Sequence, residues 1–160
     1  PNMAETARQS GAGVILMHRQ GLPPNMQDDP RYDDVVREVA AWQTERLAAA
    51  ETAGLDPQTL ALDPGIGLGK TTKHNLQLLA NLPTLARSAG GRPLLIGLSR
   101  KRWLGEITGR SIPAERLSAT MAGVVWTAMA GAHVLRVHDV GAARDVLLVL
   151  QALQKERRAS

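Results

Sequence analysis

Four short apolar runs, each followed by polar residues and then by a helical stretch, constrain the fold of this chain more than any other feature. They predict strands at residues 14–17, 59–62, 93–96 and 133–137. Strands that are apolar without interruption and that alternate with helices are typical of parallel α/β proteins. The pattern therefore predicts an α/β fold with four parallel strands.

Helical spacing of apolar residues and recognisable end signals place the helices around these strands. Asp33 and Asp34 are predicted to supply an N-cap and a first-turn acid for a long helix, and Pro83 should interrupt the helix after it. Gly54 and Gly131 stand where a residue following a helix end belongs. We predict helices at residues 3–9, 35–53, 74–85, around Trp103, at 114–130 and at 141–155.

Chemically versatile side chains lie at the C-terminal end of every predicted strand. His18 and Arg19 follow the first strand, Asp63 the second, and residues 99–101 and 136–139 the third and fourth. These strand ends carry the active site in (β/α)₈ barrels, and open doubly wound sheets also bind ligands there. Four strand–helix units amount to half a barrel, and in either architecture the sequence predicts one site at this edge.

The second strand runs into Asp63-Pro-Gly-Ile-Gly-Leu-Gly-Lys70-Thr71, which invites comparison with the phosphate-binding P-loop, G-x-x-x-x-G-K-[ST]. When the two are aligned on the Gly-Lys-Thr ending, the first required glycine falls on Pro64, which has no N–H to donate to a phosphate. We therefore favour Asp63 as the recognising group, because a carboxylate can accept two parallel N–H bonds from a guanidine-like edge. A glycine loop that merely reverses the chain is the other interpretation.

The third and fourth strand ends supply the remaining candidates. Gly97 permits close approach of the backbone, and the Ser-Arg-Lys triplet at 99–101 is predicted to open a helix whose free N–H groups favour anions. In the fourth strand Arg136 and His138 are two residues apart, so their side chains should point to the same side and suit a phosphate. Asp139 is expected to orient His138 or to cap the last helix. The alternative for residues 99–101 is an ordinary basic first turn of a helix, and the alternative for His138 is a purely structural histidine.

Composition excludes several classes of protein. The chain has no cysteine, which rules out a disulfide scaffold and thiolate metal sites and is typical of a reducing cytoplasm. Its 4 histidines do not have the spacing of a metal site. The net charge of +4 comes partly from the basic C-terminal end, and the basic residues are not interleaved with aromatic residues. Nucleic-acid binding is therefore not expected. A buried helix followed by a strand explains the apolar stretch 119–135 better than a membrane span does.

Four motifs stand in order at the consecutive strand ends. They are Met17-His18-x-Gln20-Gly21-x-Pro23-x-x-Met26-Gln27; Asp63-Pro-Gly-x-Gly-x-Gly-Lys70 with His74-Asn75; Gly97-x-Ser99-Arg100-Lys101; and Arg136-Val137-His138-Asp139-Val140. Together they resemble the dihydropteroate synthase family of pterin-binding TIM barrels. The resemblance covers the C-terminal half of that family, so residues 1–160 are expected to form barrel strands five to eight with the helix before strand five. A sequence that begins at Pro1 without an initiator methionine is interpreted accordingly as a fragment or a cleaved product.

The resemblance implies a folate-biosynthesis transferase that condenses 6-hydroxymethyl-7,8-dihydropterin pyrophosphate with p-aminobenzoate to give 7,8-dihydropteroate and pyrophosphate. It assigns Asp63 to the 2-amino and ring N–H edge of the pterin, and Lys101, counted as catalytic, to the carbonyl and N5 side. Gly97 forms the floor of the pocket, and Met17 is also counted as substrate-binding. Arg19 stands where the family often has a second methionine, which puts a cation beside the pterin plane.

The same resemblance assigns the rest of the substrates to the other strand ends. Ser99 receives the carboxylate of p-aminobenzoate, and Arg100 packs along its ring. Leu68 stands where many members have phenylalanine, which alters the wall near the aminobenzoate and near competing sulfonamides. Arg136 and His138, both counted as catalytic, bind the departing pyrophosphate.

The family further implies partners that lie outside this sequence. Mg²⁺ is expected as a cofactor whose protein ligand lies in the missing N-terminal half of the barrel, and no metal ligand is predicted here. The chain is expected to need that half, to form a homodimer in the cytoplasm and to be inactive alone, because a half barrel leaves strand edges unpaired. Two alternatives stay open: a non-catalytic pterin-binding or assembly module, and a P-loop nucleotide hydrolase with Asp139 as its second acid.

Overall fold

The computed structural model describes residues 3–159, and its four strands lie side by side in chain order, all parallel. They are β1 (Val14–Met17), β2 (Leu60–Asp63), β3 (Leu95–Ile96) and β4 (Val134–Leu135). β1 pairs with β2 along its full length and β3 pairs with β4, while a parallel bridge between Leu62 and Leu94 joins the two pairs. The predicted parallel α/β architecture is therefore confirmed.

Helices precede the first strand and follow each of the four. Within the described residues they are α1 (Met3–Ser10), α2 (Val35–Thr52), α3 (Thr72–Ala80), α4 (Leu82–Ser88), α5 (Arg102–Thr108), α6 (Leu117–Met129) and α7 (Val140–Ala159). Short 3₁₀ turns at Pro57–Thr59 and Pro113–Arg116 lead into β2 and α6. Asp34 is the N-cap of α2, accepting hydrogen bonds from two backbone N–H groups of the first turn, as the sequence indicated.

Several predicted boundaries differ from the structure, two of them for local reasons. The second strand starts one residue later than predicted, because Thr59 closes a 3₁₀ turn that Asp56 caps. The helix expected at 74–85 is divided at Asn81 rather than at Pro83, since the proline lies in the first turn of α4, where no N–H is required. The third and fourth strands are shorter than predicted, with two residues each.

One face of the sheet is covered by helices, and the other is open. Leu60, Leu62 and Ile96 point toward the helices and are at most 1% exposed. At alternate positions, Ile15 and Val134 are 49% and 45% exposed. Apolar strand residues on an open face indicate an interaction surface.

The core beneath the covered face includes a polar side chain that the apolar pattern did not predict. Gln43 lies in the stripe of α2 between Val39 and Leu47 and is fully buried. Its Oε1 accepts a hydrogen bond of 2.8 Å from the hydroxyl of Ser88, at the end of α4. The pair ties α2 to α4 inside the apolar cluster.

Among the described residues, none of the helices combines the length and the hydropathy that crossing a bilayer requires. The apolar stretch at 119–135 divides into most of α6 and the whole of β4, so the predicted order of a helix followed by a strand is confirmed. The helix is only partly buried, because Trp126 and Met129 are exposed.

Candidate ligand site at the strand ends

Asp63 is the centre of the candidate site. It is the last residue of β2, pairs in register with Met17 of β1, and is 1% exposed. Its Oδ1 accepts a hydrogen bond of 2.7 Å from the backbone N–H of Gly65. A buried carboxylate that keeps one oxygen on its own turn can present the other to a ligand or a cation.

In this structure that second oxygen meets Arg136, which extends from the end of β4. The guanidinium Nη2 lies 3.1 Å from Oδ2 of Asp63, and the arginine side chain is 53% exposed. Gly97 makes this reach possible, because a Cβ at that position would stand 2.6 Å from the same nitrogen. The role of Gly97 is thus to leave room for a neighbouring side chain.

The charges around Asp63 oppose the effect of its burial. Desolvation raises the pKa of the carboxyl, while the Gly65 N–H and the nearby Arg136, Lys101 and Lys70 act to lower it. The pKa of Lys101 is lowered, first by burial and then by Arg136, with Asp63 opposing. The aliphatic part of Lys101 lies against Gly67, whose Cβ would be 3.1 Å from its Cδ. One carboxylate, that of Asp63, and two basic side chains, those of Lys101 and Arg136, therefore meet at the mouth of the site.

The turn that carries Asp63 depends on glycine. Gly65, Gly67 and Gly69 have φ values of +69°, +76° and +61°, in the left-handed region that other residues rarely adopt. A Cβ on Gly65 would lie 1.8 Å from the carbonyl oxygen of His18, so the loops after β1 and β2 touch through their backbones. The glycines thus serve both the turn and the close approach of the two loops.

Side chains from neighbouring segments hold the glycine loop in place. Gln27 donates to the carbonyl of Gly67, and the hydroxyl of Tyr32 donates to the carbonyl of Gly69 at 2.9 Å. From α3, the side-chain oxygen of Asn75 accepts a bond of 2.6 Å from the N–H of Gly67. The sequence motifs included Gln27 and Asn75 without a role for them, and nothing in the sequence pointed to Tyr32.

Lys70 lies beneath the loop and faces inward. It is 2% exposed, and its ammonium contacts the carbonyls of Gly65 and Leu68 at 3.1 and 3.0 Å and Nδ1 of His18 at 2.9 Å. Burial lowers the pKa of Lys70 to about 7 and that of His18 to about 4. A neutral His18 accepts at Nδ1 and keeps its proton on Nε2. Enclosed in this way, Lys70 has no free donor for a nucleotide phosphate.

The third and fourth strand ends meet through two side-chain contacts. The hydroxyl of Ser99 accepts from the backbone N–H of His138 at 3.3 Å and lies 2.9 Å from its ring Nδ1. Arg100 donates two hydrogen bonds to the carboxylate of Asp139, at 2.7 and 3.1 Å. This ion pair lowers the pKa of Asp139, with the Arg100 hydrogen bonds as the largest cause. The side chain of Asp139 therefore orients Arg100, a partner that the sequence did not indicate. Its backbone carbonyl accepts from the N–H of Ala143, so Asp139 also stands at the start of α7, where the sequence placed a cap.

The triplet at 99–101 precedes helix α5 and does not form its first turn. α5 begins at Arg102, with Lys101 as its N-cap. Among the described residues Arg100 is the non-glycine residue with positive φ, at +58°. This corrects the expectation that Ser99 lies at a helix N-terminus, because the chain makes a tight left-handed turn first.

The structure thus brings most of the predicted residues together at the C-terminal ends of the strands, which are called the rim below. Met17, Asp63, Lys101 and Arg136 form one group, and Ser99, His138, Arg100 and Asp139 another, with Gly97 between them. Leu68 is half-buried in the glycine loop, and Arg19 is exposed. Sequence reasoning missed Arg116 and Thr120, which hold Arg100 and stand far from any motif.

The residues present do not form a magnesium site. Within residues 3–159 there is no group of three or more His, Asp or Glu side chains that could hold a metal ion. Asp63 and Asp139 each pair with an arginine. No chemical step is therefore assigned to a metal bound by this chain.

A parallel α/β protein with a charged, glycine-lined site at its C-terminal strand ends is the class that this fold and site define. Residues 1–138 match the sequence profile of the family described as "Pterin binding enzyme". The chain belongs to that family.

Comparison with individual proteins agrees with the family. The chain is 47% identical over 147 residues to the dihydropteroate synthase of Neisseria meningitidis serogroup C, a match that covers 92% of this chain and 52% of the relative. Two solved structures of Xanthomonas albilineans dihydropteroate synthase are similar to it. The one with 4-aminobenzoic acid has a TM-score of 0.89 at 47% identity, covering 96% of this chain and 54% of that one. The one in complex with 7,8-dihydropteroate has a TM-score of 0.88 at 45% identity, covering 96% and 55%. The chain spans about half the length of the relatives it matches.

Proposed function

We propose that residues 1–160 form the C-terminal half of a dihydropteroate synthase barrel, strands five to eight. The strand order supports this, because consecutive parallel neighbours are the arrangement of a barrel, whereas a doubly wound sheet reverses its order. The exposed Ile15 and Val134, on the face away from the helices, are the residues that a barrel interior would bury. The relatives, about twice as long, have room for the other half.

The proposed reaction joins 6-hydroxymethyl-7,8-dihydropterin pyrophosphate and p-aminobenzoate. The observation that carries it is the meeting of Asp63, Lys101 and Arg136 at one rim with the Ser99–His138 contact beside them. The Xanthomonas structures with aminobenzoate and with 7,8-dihydropteroate, which are one substrate and the product of this reaction, support the proposal.

On this proposal the pterin lies over the glycine loop. Its 2-amino and ring N–H groups donate to the Asp63 carboxylate, which Gly65 already holds by one oxygen. Lys101 reaches the carbonyl and N5 side of the ring. Met17, opposite Asp63 in the strand register, and Gly97 complete the pterin side.

The pyrophosphate and the aminobenzoate occupy the outer part of the rim. Arg136 exchanges its contact with Asp63 for one with the pyrophosphate, which its exposed side chain allows. His138 adds a second donor to the pyrophosphate, and Ser99 with Arg100 receives the aminobenzoate carboxylate and ring. Leu68 is the wall beside that ring and beside a competing sulfonamide.

The chemical step then needs little acid–base catalysis from the protein. The arylamine nitrogen forms a bond to the pterin methylene carbon as the bond from that carbon to the pyrophosphate oxygen breaks. Arg136 and His138 stabilise the charge that develops on the leaving pyrophosphate. The proton of the attacking amine passes to water. We keep Mg²⁺ in the proposal as a cofactor held by the complementary half.

The test is reconstitution. This chain is expressed together with the segment of the Neisseria meningitidis synthase that it does not cover, and the product is called here the reconstituted barrel. We expect dihydropteroate and pyrophosphate from the reconstituted barrel and no turnover from either part alone. Robust turnover by the purified 160-residue monomer would refute the half-barrel proposal. Pterin binding by the reconstituted barrel without turnover would favour the non-catalytic module.

The burial of Lys70 argues against a nucleotide hydrolase. A P-loop lysine must reach the β- and γ-phosphates, whereas Lys70 is 2% exposed and has three partners. The acid that would serve as second carboxylate, Asp139, is paired with Arg100. Calorimetry with ATP and Mg²⁺ is expected to give no heat of binding.

We place the homodimer contact on the helices and not on the strand edges. Leu76 of α3, Ile107 of α5 and Trp126 of α6 are 45%, 55% and 55% exposed and lie around one apolar groove. A second copy is the proposed occupant, because the other exposed apolar positions on the strands are assigned to the complementary barrel half. Sedimentation of the reconstituted barrel should show a dimer that Ile107→Asp converts to a monomer. A cytoplasmic location remains part of the proposal.

A further inference from the structure

Arg116 is a buried arginine without an acidic partner among the residues the structure describes. It is 7% exposed, and its three nitrogens donate to three backbone carbonyls: Arg110 at 3.0 Å, Arg100 at 2.9 Å and Ser111 at 2.6 Å. A guanidinium stays charged in proteins, so its burial is tolerated only because every nitrogen finds an acceptor. Such a group holds backbone segments together.

The packing around Arg116 is built to admit it. A Cβ on Gly105 would lie 2.6 Å from Nε of Arg116 and 2.4 Å from the carbonyl oxygen of Arg110. Glycine inside helix α5 costs stability, so its presence there indicates that the space is needed. The guanidinium thereby joins the loop after α5, the start of α6 and the end of β3.

The connection to the site runs through the peptide groups of Arg100. Its carbonyl accepts from Arg116, and its N–H donates to the fully buried hydroxyl of Thr120 at 3.1 Å. Both sides of the residue at φ +58° are therefore held from the start of α6. Left-handed backbone is unfavourable for a residue with a Cβ, and it persists only where the surroundings impose it.

The held conformation sends three consecutive side chains in three directions. Ser99 turns to His138, Arg100 turns to Asp139, and Lys101 lies over Gly67 beside Asp63. A different backbone conformation at residue 100 would redirect the two neighbours as well. The orientation of all three assigned ligand contacts thus depends on this one residue.

We propose that Arg116 is a positioning residue of the synthase site, which fixes the left-handed turn at Arg100 and through it the triplet at 99–101, whose first two side chains are assigned to aminobenzoate and whose third, Lys101, is assigned to the pterin. The identity of the ligand in this inference rests on the proposed function. The fixing of the turn by Arg116 rests on the geometry alone. Asp63 and the glycine loop have no contact with Arg116, so on the pterin side only the contact from Lys101 is expected to depend on it.

The experiment compares Arg116→Lys with Arg110→Lys in the reconstituted barrel. Arg110 is the matched control, an arginine in the same loop whose side chain is 61% exposed and pairs with Glu115. A lysine at 116 has a single nitrogen in place of the three that each reach a different carbonyl, so it cannot hold all three carbonyls in the same way. We expect KM for p-aminobenzoate to rise about ten- to hundredfold, because two of its contacts follow the turn. The pterin dissociation constant should rise less, by up to about threefold, because Asp63 keeps its place and only Lys101 follows the turn. The control should leave both constants unchanged.

A second measurement does not depend on turnover. Amide hydrogen exchange should accelerate at residues 100 and 101 in Arg116→Lys and stay unchanged in Arg110→Lys. Thr120→Val, which removes the acceptor on the other side of Arg100, should reproduce this acceleration and serves if Arg116→Lys does not fold. The increase in exchange that Arg116→Lys causes should be smaller when residue 100 is glycine (Arg100→Gly) than when it is alanine (Arg100→Ala), since glycine adopts the turn unaided.

Two outcomes would contradict the proposed role of Arg116. Equal losses for both substrates, or exchange rates that do not change at residues 100 and 101, would overturn the positioning role. If the wild-type reconstituted barrel turns over neither substrate, the proposed function fails, and hydrogen exchange alone still decides whether Arg116 fixes the turn.

Discussion

The two turns that follow β2 and β3 meet the same requirement in opposite ways. Both reverse the backbone sharply at a strand end so that side chains face a ligand. The first uses glycine at each positive φ, at positions 65, 67 and 69. The second places Arg100 at φ +58° and holds it from outside with Arg116 and Thr120.

The difference lies in what each turn presents. The glycine loop presents one buried acid and an open floor, so the residues at its positive φ values need no side chains. The turn at 99–101 presents three side chains to three partners, and a glycine at 100 would lose the pair with Asp139. A turn that must carry function at its strained residue needs support from elsewhere in the fold.

Gly65→Ala is the largest expected disruption. The new Cβ would stand 1.8 Å from a backbone carbonyl that cannot move freely, in addition to the strain of positive φ. We expect a loss of about 4 kcal/mol or more in the free energy of unfolding, measured with urea. Gly91→Ala is the matched control, at φ +82° with nothing within 4 Å, and should cost about 1 kcal/mol. Equal losses would mean that strain alone explains the glycine.

Asp63→Ala should reduce pterin affinity more than any other single change at the rim. Removing a carboxylate that accepts charge-assisted hydrogen bonds costs about 2–4 kcal/mol, or roughly 30- to 1000-fold in the dissociation constant. Lys70→Ala should cost less affinity, because Lys70 supports the loop from beneath. Calorimetry on the reconstituted barrel compares the two, and the reverse order would overturn the assignment of Asp63.

Lys70 should make the stability of the fold depend on pH through the glycine loop. Burial lowers its pKa to about 7 from 10.5, so between these values the unfolded chain binds more protons. Stability should therefore rise with pH across this window, by about 2–3 kcal/mol between pH 7.5 and 9.5. Lys70→Met should flatten the curve, whereas Lys73→Met, at an exposed position, should keep it. A slope that survives in Lys70→Met would place its cause elsewhere.

The smallest effect separates backbone strain from side-chain loss at Arg100. Arg100→Gly and Arg100→Ala both remove the ion pair with Asp139, but only glycine relieves the positive φ. We expect the glycine variant to melt about 2–4 °C higher than the alanine variant. An alanine variant that melts at the same temperature or higher would show that the turn carries no strain.

Much of the candidate site could be predicted because it follows from strand ends alone. Asp63, Ser99, Arg136 and His138 were selected by position after apolar runs, and parallel strands deliver such residues to one edge. Pro64 correctly argued against a P-loop. Within the fold, helix α2 and its Asp34 cap were equally accessible, since both depend on neighbours in sequence.

Other features could not be predicted, because they depend on partners distant in the chain. Nothing local distinguishes Lys70 as a buried ligand of His18, which is 52 positions away. Gln43 looks like a surface residue until Ser88 is placed against it. The helix start at Arg102 was misplaced because the left-handed turn at Arg100 is imposed by α6.

The sequence by itself determined the alternation of strands and helices, the edge at which the site lies, and the glycine turn that carries Asp63. These follow from rules that act within a few residues: periodicity, capping and the permitted φ of glycine. Only the tertiary structure decided that Arg136 pairs with Asp63, that Lys70 points inward, and that Arg100 adopts a glycine-like conformation. Those outcomes depend on buried polar groups finding partners that are distant in the chain, and the local sequence does not indicate which residues those partners are.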